Sequence, residues 1–218
     1  VIGYVSRTGT LTTLAALRRA GWRLLTEPQH LAKYGRARAR PHWEDGSPAP
    51  YCLDNGAWRL YNAGLPFDVA GFQLAVDLVG ADADFITCPD IVAGGLASLS
   101  LSLEWLPRLD GIGGRRLLAV QDGMVPADVE PHLGDVGIFV GGSTDWKLAT
   151  MHEWGNLAAR VGCYLHVARV NTRRRIRMCQ DAGADSFDGT GPCQFPSTLP
   201  KLDRAVRQQH LFGGDHED

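Results

Sequence analysis

The stretch "GADSFDGTG", residues 183–191, ends a short apolar run on an aspartate, Asp188, and follows it with glycine, threonine and glycine. The run is too short for a helix of ordinary length and reads as a buried strand that stops on a polar residue. Working outward from it, the same pattern recurs along the chain in "VIGYVS", "WRLLTE", "YCLDNG", "DFITCP", "RLLAVQD", "GIFVGG" and "YLHVARV". With "DSFDG" that makes eight expected strands, rich in the branched and aromatic residues that buried strands prefer.

Between these runs lie segments with helical spacing: "TLTTLAALRRAG", "DVAGFQLAVDLVG", "LASLSLSLEWLPRL", "PADVEPHLG", "DWKLATMHEWGNLAARVG", "TRRRIRMCQDAG" and "TLPKLDRAVRQQHLF". Several start at Thr or Asp and several stop at Gly, the usual caps. Residues 28–50, rich in proline and arginine, show no helical pattern and are expected to form a long loop. Eight alternating strand and helix units predict a compact (β/α)8 TIM barrel over residues 1–212, with an open doubly wound sheet as the alternative. The polar residues decide for the barrel. Asp54, Asp90, Gln121 with Asp122, Gly141 with Gly142, His166 with Arg169, and Asp188 all fall at or just past a strand's C-terminal end, the face where such barrels build their sites. The acidic stretch "GGDHED", residues 213–218, is expected to be a disordered tail.

With 218 residues and 44% hydrophobic composition, the chain can bury one sizeable core. No stretch approaches the roughly 18 apolar residues of a membrane span, and the opening "VIGYVSRTGT" lacks the apolar core of a signal peptide, so a cytoplasmic location and no membrane partner are expected. Five scattered cysteines, none in a C-x-x-C pair, argue against a disulfide framework or a zinc ribbon. The net charge of −2 gives no overall bias toward nucleic acid, yet "KYGRARAR" (33–40) and "RVNTRRRIR" (169–177) concentrate cations. Each cluster reads as a solvated face or as a phosphate-binding rim. Their places after strands two and seven would put both beside the mouth.

Asp54, Asp90 and Asp188 converge on one rim. Taken singly, each could cap a helix or turn; together they suit metal binding, recognition of a heterocycle's N–H edge, nucleophilic attack on a sugar carbon, or proton transfer. Only His166 stands near them as a histidine, which weakens the metal reading. Trp58 in "LDNGAW" is either a stacking platform over the mouth or a core residue, and "VGG" at 140–142 offers either exposed backbone N–H groups or a plain turn.

The ordered series "YCLDNGAW", "FITCPDIV", "LLAVQDG", "IFVGG", "LHVARVNT" and "GADSFDG", spanning about residues 50–190, resembles the tRNA-guanine transglycosylase superfamily. That family exchanges a purine for a 7-deazapurine on an intact nucleic acid. The resemblance implies that Asp188 is the nucleophile and Asp54 the general acid/base. It implies that Asp90 and Gln121 bond the base edge, that the Gly141 and Gly142 backbone meets its carbonyl, and that Trp58 stacks on the ring. His166, at its strand end, is expected in the same substrate site. Asn55 and Ala57 depart from the family's third-strand motif, and the C-x-C-x-x-C…His zinc site of the tRNA enzymes is missing. These departures resemble the compact deazapurine DNA-modification enzymes of phages and bacterial genomic islands.

The expected partners are therefore DNA with a guanine target and a free 7-deazapurine base such as preQ0 or a derivative, in a bacterial cell or a phage-infected host, with no metal and no other cofactor. Arg36, Arg38, Arg40, Arg169, Arg173 and Arg174 would track phosphates around a flipped or single-stranded base. Arg169 could instead pair with a pocket acid. The apolar faces of the last helices suit either a homodimer or the barrel's own packing. Other readings are the same exchange on tRNA, a barrel enzyme acting on a small phosphorylated metabolite, and a catalytically silent nucleic-acid-binding module.

Overall fold

The computed structural model describes residues 1–208, so the expected acidic tail, residues 213–218, and the end of the expected last helix lie outside the described residues. The elements run β1 (Ile2–Ser6), α1 (Leu11–Ala20), β2 (Arg23–Thr26), α2 (Pro28–Tyr34), β3 (Tyr51–Leu53), α3 (Ala57–Asn62), α4 (Val69–Val79), β4 (Phe85–Thr87) and α5 (Gly95–Trp105). They continue with β5 (Arg115–Val120), α6 (Pro126–Val129), β6 (Val136–Val140), α7 (Thr144–Val161), β7 (Leu165–Val167), α8 (Arg173–Asp181), β8 (Ser186–Gly189), α9 (Gly191–Gln194) and α10 (Leu199–Arg207). The strands close in sequence order, each parallel to the next, and β8 returns to β1 with Tyr4 opposite Asp188. Closure excludes the open doubly wound sheet.

Strand alternation sorts the core into two shells. Tyr4, Leu25, Cys52, Phe85, Leu117, Ala119, Phe139 and Ala168 fill the barrel interior. Their strand neighbours Val5, Leu24, Leu53, Ile86, Leu118, Ile138 and Val140 face the helices and join the larger outer core. The interior is packed: Tyr4 meets Phe85 edge-on at 5.3 Å between ring centroids, and Tyr4 Oη donates to Asp84 at 2.9 Å. The C-terminal mouth of the barrel is left open. On the outer shell Gly3 lets Trp22 lie flat against β1, since a Cβ there would come within 2.7 Å of the indole.

Two expectations are corrected. Residues 28–34 form α2 rather than loop: Pro28 at the first helical position is already set for helix, the Glu27 N–H donates to His30 Nδ1 at 3.3 Å, and Gly35 at φ 76° ends the run. With seven residues and no apolar stripe, this helix leaves almost no periodic signal. Helix α3 was likewise not expected. The apolar faces of α8 (Ile176, Cys179) and α10 (Leu199, Leu202, Ala205) are buried within this chain. Among the described residues no helix is long and apolar enough to cross a membrane.

Candidate active site

A cavity of about 290 Å³ opens at the C-terminal mouth, lined among others by Glu27, Asp54, Trp58, Asp90, Gln121, Gly141, Gly142, Arg169 and Asp188. It is near the lower end of the range for small-molecule sites, a size for one compact ligand. These residues come from the ends of β2 to β8 or the segments just after them, so residues distant in sequence meet here because the barrel closes.

Asp188, at the end of β8, is buried and accepts two hydrogen bonds: from His166 Nε2 to Oδ2 at 3.0 Å and from the Arg169 backbone N–H to Oδ1 at 3.1 Å. A carboxylate only accepts, so the proton on His166 sits on Nε2, and Nδ1 takes the Ser186 hydroxyl at 2.7 Å. His166 is wholly buried, stacked on Phe139 with centroids 4.9 Å apart, and does not line the cavity. The expectation that it touches substrate is corrected: it supports Asp188 from below, because β7 points that side chain into the packed interior.

Asp54 takes the Gly56 N–H at 3.1 Å. Burial, with Glu27, Asp188 and Asp90 nearby, pushes its carboxyl well above the usual range. The shift favours its acid form. Asp90 accepts from Asn55 Nδ2 at 2.7 Å and from Gln121 Nε2, and burial raises it to about 6 although Asn55, Arg169 and Gln121 pull the other way. Asn55, read from sequence as a departure, thus orients the second acid.

The glycine turn behaves differently from expectation. The Gly141 N–H goes to Val120 O at 3.0 Å and the Gly142 N–H to Gln121 Oε1 at 3.1 Å, so neither is free for a ligand carbonyl. Gly142 is needed for its backbone: φ is 65°, and a Cβ would strike the Trp146 ring at 2.5 Å. Its carbonyl accepts from the Arg169 guanidinium, which lies 3.8 Å above the Trp58 ring. Trp58 is 44% exposed, which removes the core alternative and leaves one of its faces covered by Arg169.

The basic clusters divide. Arg169 lines the cavity, and Arg173 and Arg174 are exposed at the start of α8, on the mouth side. Arg36, Arg38 and Arg40 do not line it; Arg7 binds the Arg38, Ala39 and Arg40 carbonyls, and Arg40 pairs with Asp82, just before β4 on the opposite face. Only Arg40 is thereby turned from its expected place on the rim; Arg36 and Arg38 are exposed outside the cavity.

Two further residues were missed. Glu27, at the end of β2, lines the cavity, yet it falls at the edge of the proline-rich segment that reads as loop. Lys147 on α7 is buried; its ammonium donates to Ala168 O, and burial, reinforced by Arg169, brings it down to about 7. Its only sequence signal is a lysine in the first turn of a helix beside Trp146. Among the described residues no group of three or more His, Cys, Asp or Glu is arranged to hold a metal ion.

No protein-family profile matches this chain, and no curated protein does. Solved structures do. A putative fructose-1,6-bisphosphate aldolase from Coccidioides immitis superposes with TM-score 0.58 at 14% identity, covering 94% of this chain and 83% of that one. Haloferax volcanii malate synthase gives 0.58 at 13%, covering 100% and 75%. The 3-hexulose-6-phosphate synthase of Salmonella typhimurium gives 0.52 at 12%, covering 96% and 100%. The chain has the (β/α)8 barrel fold. At these identities the likeness reaches the fold and stops there.

Proposed function

We propose that this chain is a transglycosylase exchanging guanine in DNA for a 7-deazaguanine derivative through a covalent Asp188–sugar intermediate. The observation that carries this reading is the pair of carboxyl groups in one small cavity: Asp54, pushed well above the usual carboxylate range by burial and its acid neighbours, and Asp188, held by two N–H donors. An N-glycosidic exchange needs such a pair.

An Asp188 oxygen forms a bond to C1′ as the C1′–N bond breaks, and the Asp54 proton goes to the departing guanine. The incoming deazapurine returns a proton to Asp54, its nitrogen bonds C1′, and the C1′–Asp188 bond opens. Asp90, oriented by Asn55 and Gln121, offers its remaining acceptor positions to the N–H groups of the base, and Trp58 with Arg169 forms a flat wall beside it. Arg169, Arg173 and Arg174 stand where flanking phosphates would run. The choice of DNA over tRNA is supported by the sequence after Asp188, which carries Cys193 and no zinc-binding cluster.

The names of the structural neighbours favour a second reading, a barrel enzyme acting on a small phosphorylated metabolite. Such barrels commonly hold phosphate on the N–H groups after strands seven and eight. Here Thr190 and Gly191 donate theirs to Asn171 Oδ1 at 2.9 and 2.8 Å, and the ionised acids of the cavity would repel a dianion.

The test is exchange of radiolabelled guanine into DNA and, in parallel, into tRNA, with wild type and Asp188→Ala. Incorporation into DNA that vanishes in the variant is expected. Incorporation into tRNA alone overturns the substrate, and none into either overturns the chemistry in favour of the metabolite reading.

A further inference from the structure

Thr26 pairs with Leu53 across β2 and β3, so the next residues, Glu27 and Asp54, leave the sheet side by side; the Asp54 N–H donates to Thr26 O at 2.8 Å. Both carboxyl groups line the cavity, and Glu27 is only 7% exposed. Two carboxylates so placed in a water-poor cleft cannot both ionise cheaply; the proton goes to whichever lacks a cation.

Here the cation is Arg59, on the first turn of α3, whose guanidinium bonds Glu27 Oε1. No salt bridge forms to Asp54 among the described residues. His30 on α2 also faces Glu27, with Nε2 3.4 Å from Oε1, but burial together with Arg59, Arg7 and Lys33 holds its imidazole down to about 3 and hence neutral. The remaining charged neighbours are Asp188 on β8, which faces both acids, and Asp90 just after β4, near Asp54. Arg169, after β7, adds a cation shared among Asp188, Asp122, Asp90 and Asp54. Burial raises Glu27 as well, but Arg59 works against it.

We propose that Glu27, clamped by Arg59, is a positioning residue that keeps the neighbouring Asp54 in its acid form, so that an ion pair on the cavity wall decides which of the two carboxyl groups holds the proton. This deepens the proposed exchange reaction by assigning the source of its acid, but the allocation of the proton does not depend on that reaction.

The experiment is a carboxyl ¹³C NMR titration of the full chain labelled at Asp and Glu, with Asp54→Asn and Glu27→Gln spectra assigning the two signals. Removing the neighbouring charge in Glu27→Gln is expected to lower the Asp54 midpoint by about one pH unit or more, so that the protonated-to-ionised ratio at neutral pH falls about tenfold. In Arg59→Met the two groups exchange places, with the Glu27 midpoint rising above that of Asp54. Arg59 is 54% exposed at its side chain, so this variant keeps the test open if Glu27→Gln disturbs the start of α2.

An Asp54 midpoint unmoved in Glu27→Gln, or a Glu27 midpoint still below Asp54 in Arg59→Met, overturns the proposal. With active enzyme, the alkaline limb of the pH–rate profile, where the acid form of Asp54 is lost, moves in Glu27→Gln by the same amount as the NMR midpoint. Absence of exchange in wild type would sink the transglycosylase reading and leave the NMR result to judge Glu27 alone.

Discussion

Replacing His166 with phenylalanine isolates the support under Asp188. The imidazole sits between Ser186 Oγ at 2.7 Å and Asp188 Oδ2 at 3.0 Å, surrounded by Tyr4, Phe85 and Phe139, and none of its surface reaches solvent. Phenylalanine keeps the ring packing and loses both polar contacts. The bond to a carboxylate is worth about 1.5–3 kcal/mol, and the buried Ser186 hydroxyl loses one further bond of about 0.5–1.5 kcal/mol while keeping Tyr164 as a partner. The net destabilisation should be about 2–4 kcal/mol.

Ser186→Ala alone leaves Nδ1 without its donor, at about 1–2 kcal/mol. Each single variant removes the same His166–Ser186 bond, so the double variant His166→Phe/Ser186→Ala should be more stable than the sum of the singles by roughly 1 kcal/mol. Urea unfolding of all four proteins, compared at equal m-value, measures the cycle. Additivity within about 0.5 kcal/mol, or a single His166→Phe cost below ~1 kcal/mol, would refute the hydrogen-bonded arrangement.

Other tests reach different parts of the molecule. Gly155→Ala puts a Cβ 2.0 Å from the Ala182 carbonyl oxygen, where α7 crosses the end of α8, and should lower stability by about 2–4 kcal/mol with no change in the cavity; calorimetry checks it. Lys147 titrates near 7 in the fold against 10.5 in the unfolded chain, so the unfolded state binds more protons between these values and its contribution to stability rises with pH there. Relative to Lys147→Met, wild type should gain up to ~1.4 kcal/mol per pH unit above about pH 7 and nothing below it, read from urea midpoints at pH 6 to 9. Cys52, Cys88 and Cys179 are buried, with the thiols of Cys88 and Cys179 pushed up to about 12, so a thiol reagent at pH 8 should modify no more than Cys163 and Cys193 until denaturant is added.

The eight-unit barrel and the acids at its mouth could be read from the chain because both follow from local rules. A buried parallel strand is a short apolar run, and the residue that ends it at the C-terminal face must be polar if it meets a ligand or water. Asp54, Asp90, Gln121 and Asp188 announce themselves that way, each at the end of its own run. The partners those side chains take could not be read. Glu27 obeys the same rule but borders a proline-rich segment whose short helix has no stripe. His166 turns inward and Arg40 reaches the far face, and the Gly141 and Gly142 N–H groups are consumed by Val120 and Gln121. Strand periodicity is written into neighbouring residues. Which acid keeps a proton, which histidine props a carboxylate and which arginine covers a tryptophan depend on contacts between residues tens of positions apart, and those distances exist only once the barrel has closed.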